Sequence, residues 1–234
     1  MRLDRLLANR PHCSRQQAQR LLLAGAVSVD GQVQRDGTVE ISRFAHVQVG
    51  DDCVQPGRAA RYLMLHKPAG CVSATQDPEH RTVLDYLPAE WRDELHIAGR
   101  LDLASTGLLL LTSDGLWSRR ITLPEKTGAP RFAKVYRVRT EQPIAAETAQ
   151  VFARGIYFAY EGLTTQPAQL DCLSAHEARL TLCEGRYHQV KRMFGHLRNK
   201  VLALHREQMG SIVLDPVLAP GQWRELTAAE IASV

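Results

Sequence analysis

A chain of 234 residues, 44% of them apolar, is long enough for one large domain or two unequal ones and can bury a real core. The formal net charge of +4 is too small to argue for a polyanionic partner from the whole chain, and the apolar runs fall short of the roughly 20 residues a bilayer span needs. Five scattered cysteines without a C-x-x-C pair argue against a disulfide framework and a thiolate zinc site, and no H-E-x-x-H motif supports a metal enzyme. The N-terminus, MRLDRLLANR, is charged throughout and lacks the apolar segment of a signal peptide, so a soluble cytoplasmic protein is expected.

In chain order, Leu3, Leu6 and Leu7 fit one face of a short helix. Ser14-Arg-Gln-Gln17 reads as a capping box that opens a second helix, with Ala18, Leu21 and Leu22 continuing the apolar stripe and Gly25 as the stop. Val27-Ser-Val29 alternates as a strand, Asp30-Gly31 is a two-residue hairpin turn, and Val33 begins the return. The charge is concentrated here. Residues 1–35 hold six arginines against two aspartates, which equals the entire formal excess, and the rest of the chain balances to zero. A basic module on a neutral body fits docking to a polyanion as well as it fits a solvated helical surface.

This stretch resembles the S4 RNA-binding domain, through Arg2-Leu3-Asp4, Ser14-Arg15, Ala18, Leu21-Leu22, Gly25 and Val27-Ser28-Val29-Asp30-Gly31. The resemblance covers residues 1–50 and implies binding of structured RNA through backbone and shape. Arg10, Arg15 and Arg20 are the candidate contacts; Arg15 lies at the second helix's N-terminus, where backbone amides favour phosphate. The polar stretch 51–59, with its Pro-Gly pair, is expected to link it to a larger domain at 60–234.

In that domain Tyr62–Leu65 reads as a buried strand ending at Lys67-Pro68-Ala-Gly70. Leu108–Thr112 is another, stopped by Asp114-Gly115, and Arg179–Cys183 a fourth after Lys134–Arg139, whose alternation puts Lys134 and Tyr136 on one face. Tyr187–Leu197 has helical spacing, with Tyr187, Val190, Lys191 and Phe194 on one side. Strands with few intervening helices predict an α+β domain with a largely antiparallel sheet. Three polar segments abut these apolar elements: Gly99-Arg-Leu-Asp102 with Ser105-Thr106-Gly107, Lys134-Val-Tyr136, and Glu184 to Met193. A half-buried acid such as Asp102 needs a cation, and Lys191 or Arg192 is available. A carboxylate paired in this way stays ionised, the state a nucleophile needs.

Together these segments resemble the pseudouridine synthases, specifically the RsuA group acting on small-subunit ribosomal RNA. The match is G-R-L-D ending at Asp102, then Ser105, Gly107 and Thr112, with further support from His66-Lys-Pro-Ala-Gly70, Tyr187-His-Gln-Val-Lys-Arg-Met193 and the tail Leu218 to Thr227. The resemblance implies that the sheet is mixed and holds a central cleft, and that Asp102 is the essential aspartate, which attacks the ribose, stabilises its cation or assists a glycal. It implies that Tyr136 stacks on the flipped base, that Lys191 is the basic partner of Asp102, and that Val190 packs beside the base. Arg100 is the candidate to fill the gap left in the RNA stack, and Arg192 and Lys134 are further RNA contacts. No metal or cofactor is implied, because the isomerisation is neutral in redox and in atoms. A monomer acting on 16S ribosomal RNA is expected, at uridine 516 by the relatives' convention. His66 stands where close relatives have asparagine, and Ala104 where they often have a polar residue.

Taken singly, these residues have plainer readings: Asp102 as a structural ion pair, Tyr136 as a core aromatic, His188 as a helix-start polar residue, and Trp91, Trp117 and Trp223 as packing. Two other functions fit part of the pattern, a large-subunit RNA pseudouridine synthase and a non-catalytic RNA-binding assembly factor. The tail and the stretch from Val72 to Leu87 favour the small-subunit group.

Overall fold

The computed structural model describes residues 1–122, 132–159 and 161–234. The chain divides into two compact units, Met1–Ala60 and Arg61–Val234. Among the described residues no helix is long and apolar enough to cross a membrane, and all five cysteines are free.

The first unit contains α1 (Leu3–Ala8), α2 (Arg15–Leu23), β1 (Val27–Val29), β2 (Gln32–Val33), β3 (Val47–Val49) and β4 (Asp52–Gln55). The capping box forms: Ser14 Oγ accepts from the Gln17 amide at 3.2 Å, and Gln17 Oε1 accepts from the Ser14 amide at 2.9 Å. Asp30 and Gly31 both take positive φ, the mirror-image turn that matches strand twist, and the sheet order is β2-β1-β3-β4. Leu3, Leu7, Ala18, Leu22, Val27, Ile41 and Val47 fill the core. The stretch expected to be a linker, 51–59, is corrected here. Its first half is β4, an edge strand antiparallel to β3. Asp52 and Cys53 on it are exposed, so no apolar alternation marks it in the sequence.

The second unit begins with β5 (Tyr62–Lys67), two short 3-10 turns, β6 (His96–Ala98) and β7 (Thr106–Thr112). Then come α3 (Gly115–Thr122), β8 (Lys134–Thr140), α4 (Thr148–Arg154), β9 (Tyr157–Phe158), β10 (Leu163–Thr164), β11 (Gln169–Cys172), β12 (Glu177–Leu182) and α5 (Gln189–His196). The chain closes with β13 (Val201–Met209), β14 (Ile212–Val213), β15 (Trp223–Glu225) and α6 (Ala228–Ala232). The main sheet runs β11-β12-β8-β13-β7-β5-β15, antiparallel except for the β13–β7 pair. The leucine run on β7 is buried because both faces of that strand are covered. Leu109 and Leu111 pack with Leu63 and Leu65, while Leu108 and Leu110 pack with Met64 and Trp117. The predicted helix Tyr187–Leu197 starts later than its spacing implies. His188 sits in the left-handed region (φ 49°, ψ 31°), α5 begins at Gln189, and Tyr187 stands out in solvent instead of on the buried face.

Gly107 holds φ +106° where β7 meets β13, and a Cβ there would overlap the Arg206 backbone. Gly70 also has positive φ, +82°, but faces open space. Gly107→Ala is expected to lower the stability of this unit by at least about 3 kcal/mol, from backbone strain plus the clash. Gly70→Ala carries the strain alone, about 1–2 kcal/mol. Urea unfolding followed by tryptophan fluorescence compares them directly, since all three tryptophans lie in this unit.

Candidate active site

Residues 99–105, between β6 and β7, carry Asp102. Two buried cations hold this loop from below. Lys67, at the end of β5, donates to the carbonyls of Ser105 (2.8 Å), Pro68 (3.0 Å) and Leu103 (3.4 Å). Arg206, on β13, donates from Nε to the Leu108 carbonyl at 2.7 Å and from Nη1 to that of Arg100 at 3.4 Å. Burial pushes the Lys67 ammonium below its ordinary pKa, and the charge of Asp102 works against that shift. The Ser73 hydroxyl donates to the Leu101 carbonyl (2.9 Å) and accepts from the Leu101 amide (3.1 Å).

Above the loop, the Asp102 carboxylate is about a third exposed and engaged at both oxygens. Oδ2 lies 2.9 Å from Lys191 Nζ, and Oδ1 lies 3.4 Å from His188 Nε2. His188 is the left-handed residue just before α5 and Lys191 lies in the first turn of that helix, and both reach Asp102. The turn before α5 is locked by Glu184, a buried carboxylate. It accepts from Gln189 Nε2 (2.7 Å), Arg186 Nε (3.0 Å) and the Gln166 amide (2.9 Å), and Gln189 Oε1 accepts from the Arg186 amide (3.0 Å). Val190, Met193 and Phe194 anchor the helix in the core.

These groups border a narrow cleft of about 70 Å³. Asp102, Arg100, Tyr136, Val190, Lys191 and His188 all line it. Tyr136 enters from β8, buried on the face it shares with Leu180 and Leu204. Ser105 Oγ also borders the cleft and is buried without a hydrogen-bond partner. Lys134 reaches the edge, where a Cβ on Gly185 would stand 3.9 Å from its Cε. Arg192 does not join the cleft lining. It pairs with Glu161, and its guanidinium lies 3.8 Å from the centre of the Phe158 ring. Of the two cations offered to Asp102 by the sequence, the structure uses Lys191.

In the first unit the three nominated arginines divide. Arg10 and Arg20 share one depression with Cys13 and Gln17, and Arg10 also pairs with Asp52 at 3.3 Å. Arg15 lines a larger one, about 840 Å³, with Arg2, Arg5 and Arg35.

Residues 61–196 match the family described as RNA pseudouridylate synthase, and residues 1–39 match the S4 domain. The chain belongs to the RNA pseudouridylate synthases. Over its whole length it is 59% identical to the Ribosomal small subunit pseudouridine synthase A of Pseudomonas aeruginosa. It is 44% identical to the protein of the same name in Escherichia coli K12; in both cases the whole of each chain is covered. A solved structure described as a pseudouridylate synthase superposes with a TM-score of 0.71 at 38% identity, covering 100% of this chain and 99% of that one. The protein is therefore an isomerase of the pseudouridine synthase type, with an S4 domain before its synthase domain.

In this synthase the sequence reading found Asp102, Tyr136, Lys191, Val190 and Arg100, all of which meet in the cleft. It missed His188, Glu184, Lys67 and Arg206. Neither departure from the family pattern enters the cleft lining. Ala104 is exposed, and His66 donates from Nδ1 to the Leu218 carbonyl, 2.7 Å away.

The His66 ring packs edge-on against His205, 5.4 Å between centres, and His205 Nδ1 meets Thr106 Oγ1 at 2.8 Å. Burial, and then the neighbouring His66, push the His205 pKa below its ordinary value. The unfolded chain therefore binds this proton first as pH falls. Stability is expected to drop as pH falls below about 6.5, with a slope of at most about 1.36 kcal/mol per pH unit from this residue. His205→Gln should remove that share of the slope, measured by urea unfolding between pH 7.5 and 5.5.

Proposed function

We propose that this synthase converts one uridine of 16S ribosomal RNA, uridine 516 by the relatives' convention, to pseudouridine, acting as a cytoplasmic monomer with Asp102 as nucleophile. The observation that carries the chemistry is the Asp102–Lys191 pair, 2.9 Å apart, at a cleft that also holds Tyr136. The RNA assignment rests on relatives named for the ribosomal small subunit that match this chain end to end.

In the proposed reaction the extruded uridine enters the cleft with its ribose toward Asp102. Oδ2 stays on the Lys191 ammonium. Oδ1, whose His188 contact is the longer one, meets C1′. The C1′–N1 bond breaks and the pair leaves on uracil. The ring turns against Tyr136 and Val190, which floor the cleft and keep it from escaping. C5 then bonds to C1′, Asp102 is released, and the proton on C5 leaves while N1 takes one up. Tyr136 is the group placed to assist that proton loss. Arg100, exposed at the rim, is the candidate to fill the vacated place in the RNA, with Lys134 and Arg192 as outer contacts. The basic depressions of the first unit, with Arg10, Arg15 and Arg20, supply grip on phosphate.

Tritium release from 5-tritiated uridine in 16S RNA tests the chemistry. Asp102→Asn is expected to lose at least about 10³-fold in turnover, as removal of a nucleophile does. RNA affinity should stay within about twofold, because no positive charge is lost. Normal release by the variant rejects the nucleophile. Carbodiimide mapping of ribosomal RNA from cells with and without the protein tests the target. A site that disappears from large-subunit RNA instead would move the substrate, and tight RNA binding with no modified site would favour an assembly factor.

A further inference from the structure

Tyr187 is the most exposed aromatic side chain among the described residues, at 76%. One face of its ring lies on His188, with centres 3.9 Å apart and planes 21° from parallel. The other face is open. His188 in turn reaches Asp102, so carboxylate, imidazole and phenol form a continuous line from the cleft outward.

The left-handed backbone at His188 creates this arrangement. Residues other than glycine seldom adopt it, with asparagine, aspartate and histidine the more tolerant ones. With ordinary helical geometry Tyr187 would lie on the face of Val190 and Phe194 and be buried. The turn is nevertheless fixed from three sides, by Glu184, Gln189 and the Arg192 guanidinium on the Tyr187 carbonyl at 3.4 Å. The fold thus holds a flat aromatic face stacked on His188, which lines the cleft, and leaves most of that ring exposed. Arg100 stands exposed along the same cleft, whereas Arg186 and Lys191 there are paired with Glu184 and Asp102. An open ring face beside positive charge is the arrangement that binds single-stranded nucleic acid, the ring taking a base and the cations its phosphates.

We propose, on the reading that the cleft receives an extruded uridine, that the free face of Tyr187 stacks on the nucleobase next to that uridine in the RNA chain. Extrusion strips this neighbour of its own stacking partner. Tyr187 replaces the lost contact, and so acts in substrate binding and not in bond cleavage.

The test uses the full-length protein, a single-stranded RNA with 2-aminopurine beside a central uridine, and Tyr187→Ala and Tyr187→Phe. Wild type and Tyr187→Phe should quench the probe with similar affinity. Tyr187→Ala should lose the quench and bind about tenfold more weakly (about 1.4 kcal/mol). The salt dependence of binding should be unchanged, because no phosphate contact is removed. In tritium release from 16S RNA, Tyr187→Ala should raise KM about tenfold and leave kcat within twofold. Unchanged quenching and affinity in Tyr187→Ala overturns the proposal. So does an equal defect in Tyr187→Phe, which would assign the effect to the hydroxyl, or a fall in kcat at constant KM. If wild type modifies no ribosomal RNA, the proposed function fails while the fluorescence comparison still decides the role of Tyr187.

Discussion

Lys67 and Arg206 are fully buried, and the hydrogen bonds that hold them go to peptide carbonyls, not to carboxylates. Removing such cations from water costs several kcal/mol each unless strong acceptors replace the lost hydration. Here the acceptors are the carbonyls of Pro68, Leu103 and Ser105 for Lys67 and of Arg100 and Leu108 for Arg206, whose Nη2 stays unpaired; all but Pro68 lie on or beside the loop that carries Asp102. Charge-assisted hydrogen bonds of this kind are about twice as strong as neutral ones. Displacing the loop would strip these buried cations of most of their acceptors. Its conformation is thereby fixed, and the Asp102 side chain is left on the cleft side.

The same two cations place positive charge beneath a carboxylate that already has Lys191 and His188 above it. The site is thus preorganised before RNA arrives. On the proposed reaction, little reorganisation remains for the moment when charge develops on ribose and uracil, which is where electrostatic catalysis gains most. Glu184 plays the corresponding part for the other wall, tying Arg186 and Gln189 together so that α5 presents its first turn to the acid.

The features legible in the sequence are those set by short-range chemistry. The Ser14–Gln17 box, the Asp30-Gly31 turn and the buried leucine strand follow from a few neighbouring residues, and the structure forms all three. Asp102, Tyr136 and Lys191 were legible as motifs. Their meeting was not, because it depends on strands and a helix far apart in the chain. Arg206 reaches a carbonyl 98 residues away, and nothing local announces it. The edge strand β4 was unreadable for a different reason. An edge that faces water needs no apolar alternation, so its polar residues look like a linker. Tyr187 misled because apolar spacing cannot reveal one left-handed residue.

The parallel pairing of β13 with β7 also governs the order in which the protein becomes competent. A ribosome makes Asp102 well before Lys191 and Arg206. Until the later residues emerge, the acid has no ammonium beside it and its loop has only one of the two buried cations beneath it. A nascent chain interrupted before β13 therefore carries an unfinished Asp102 loop, which is completed only as about the last fifth of the chain is made.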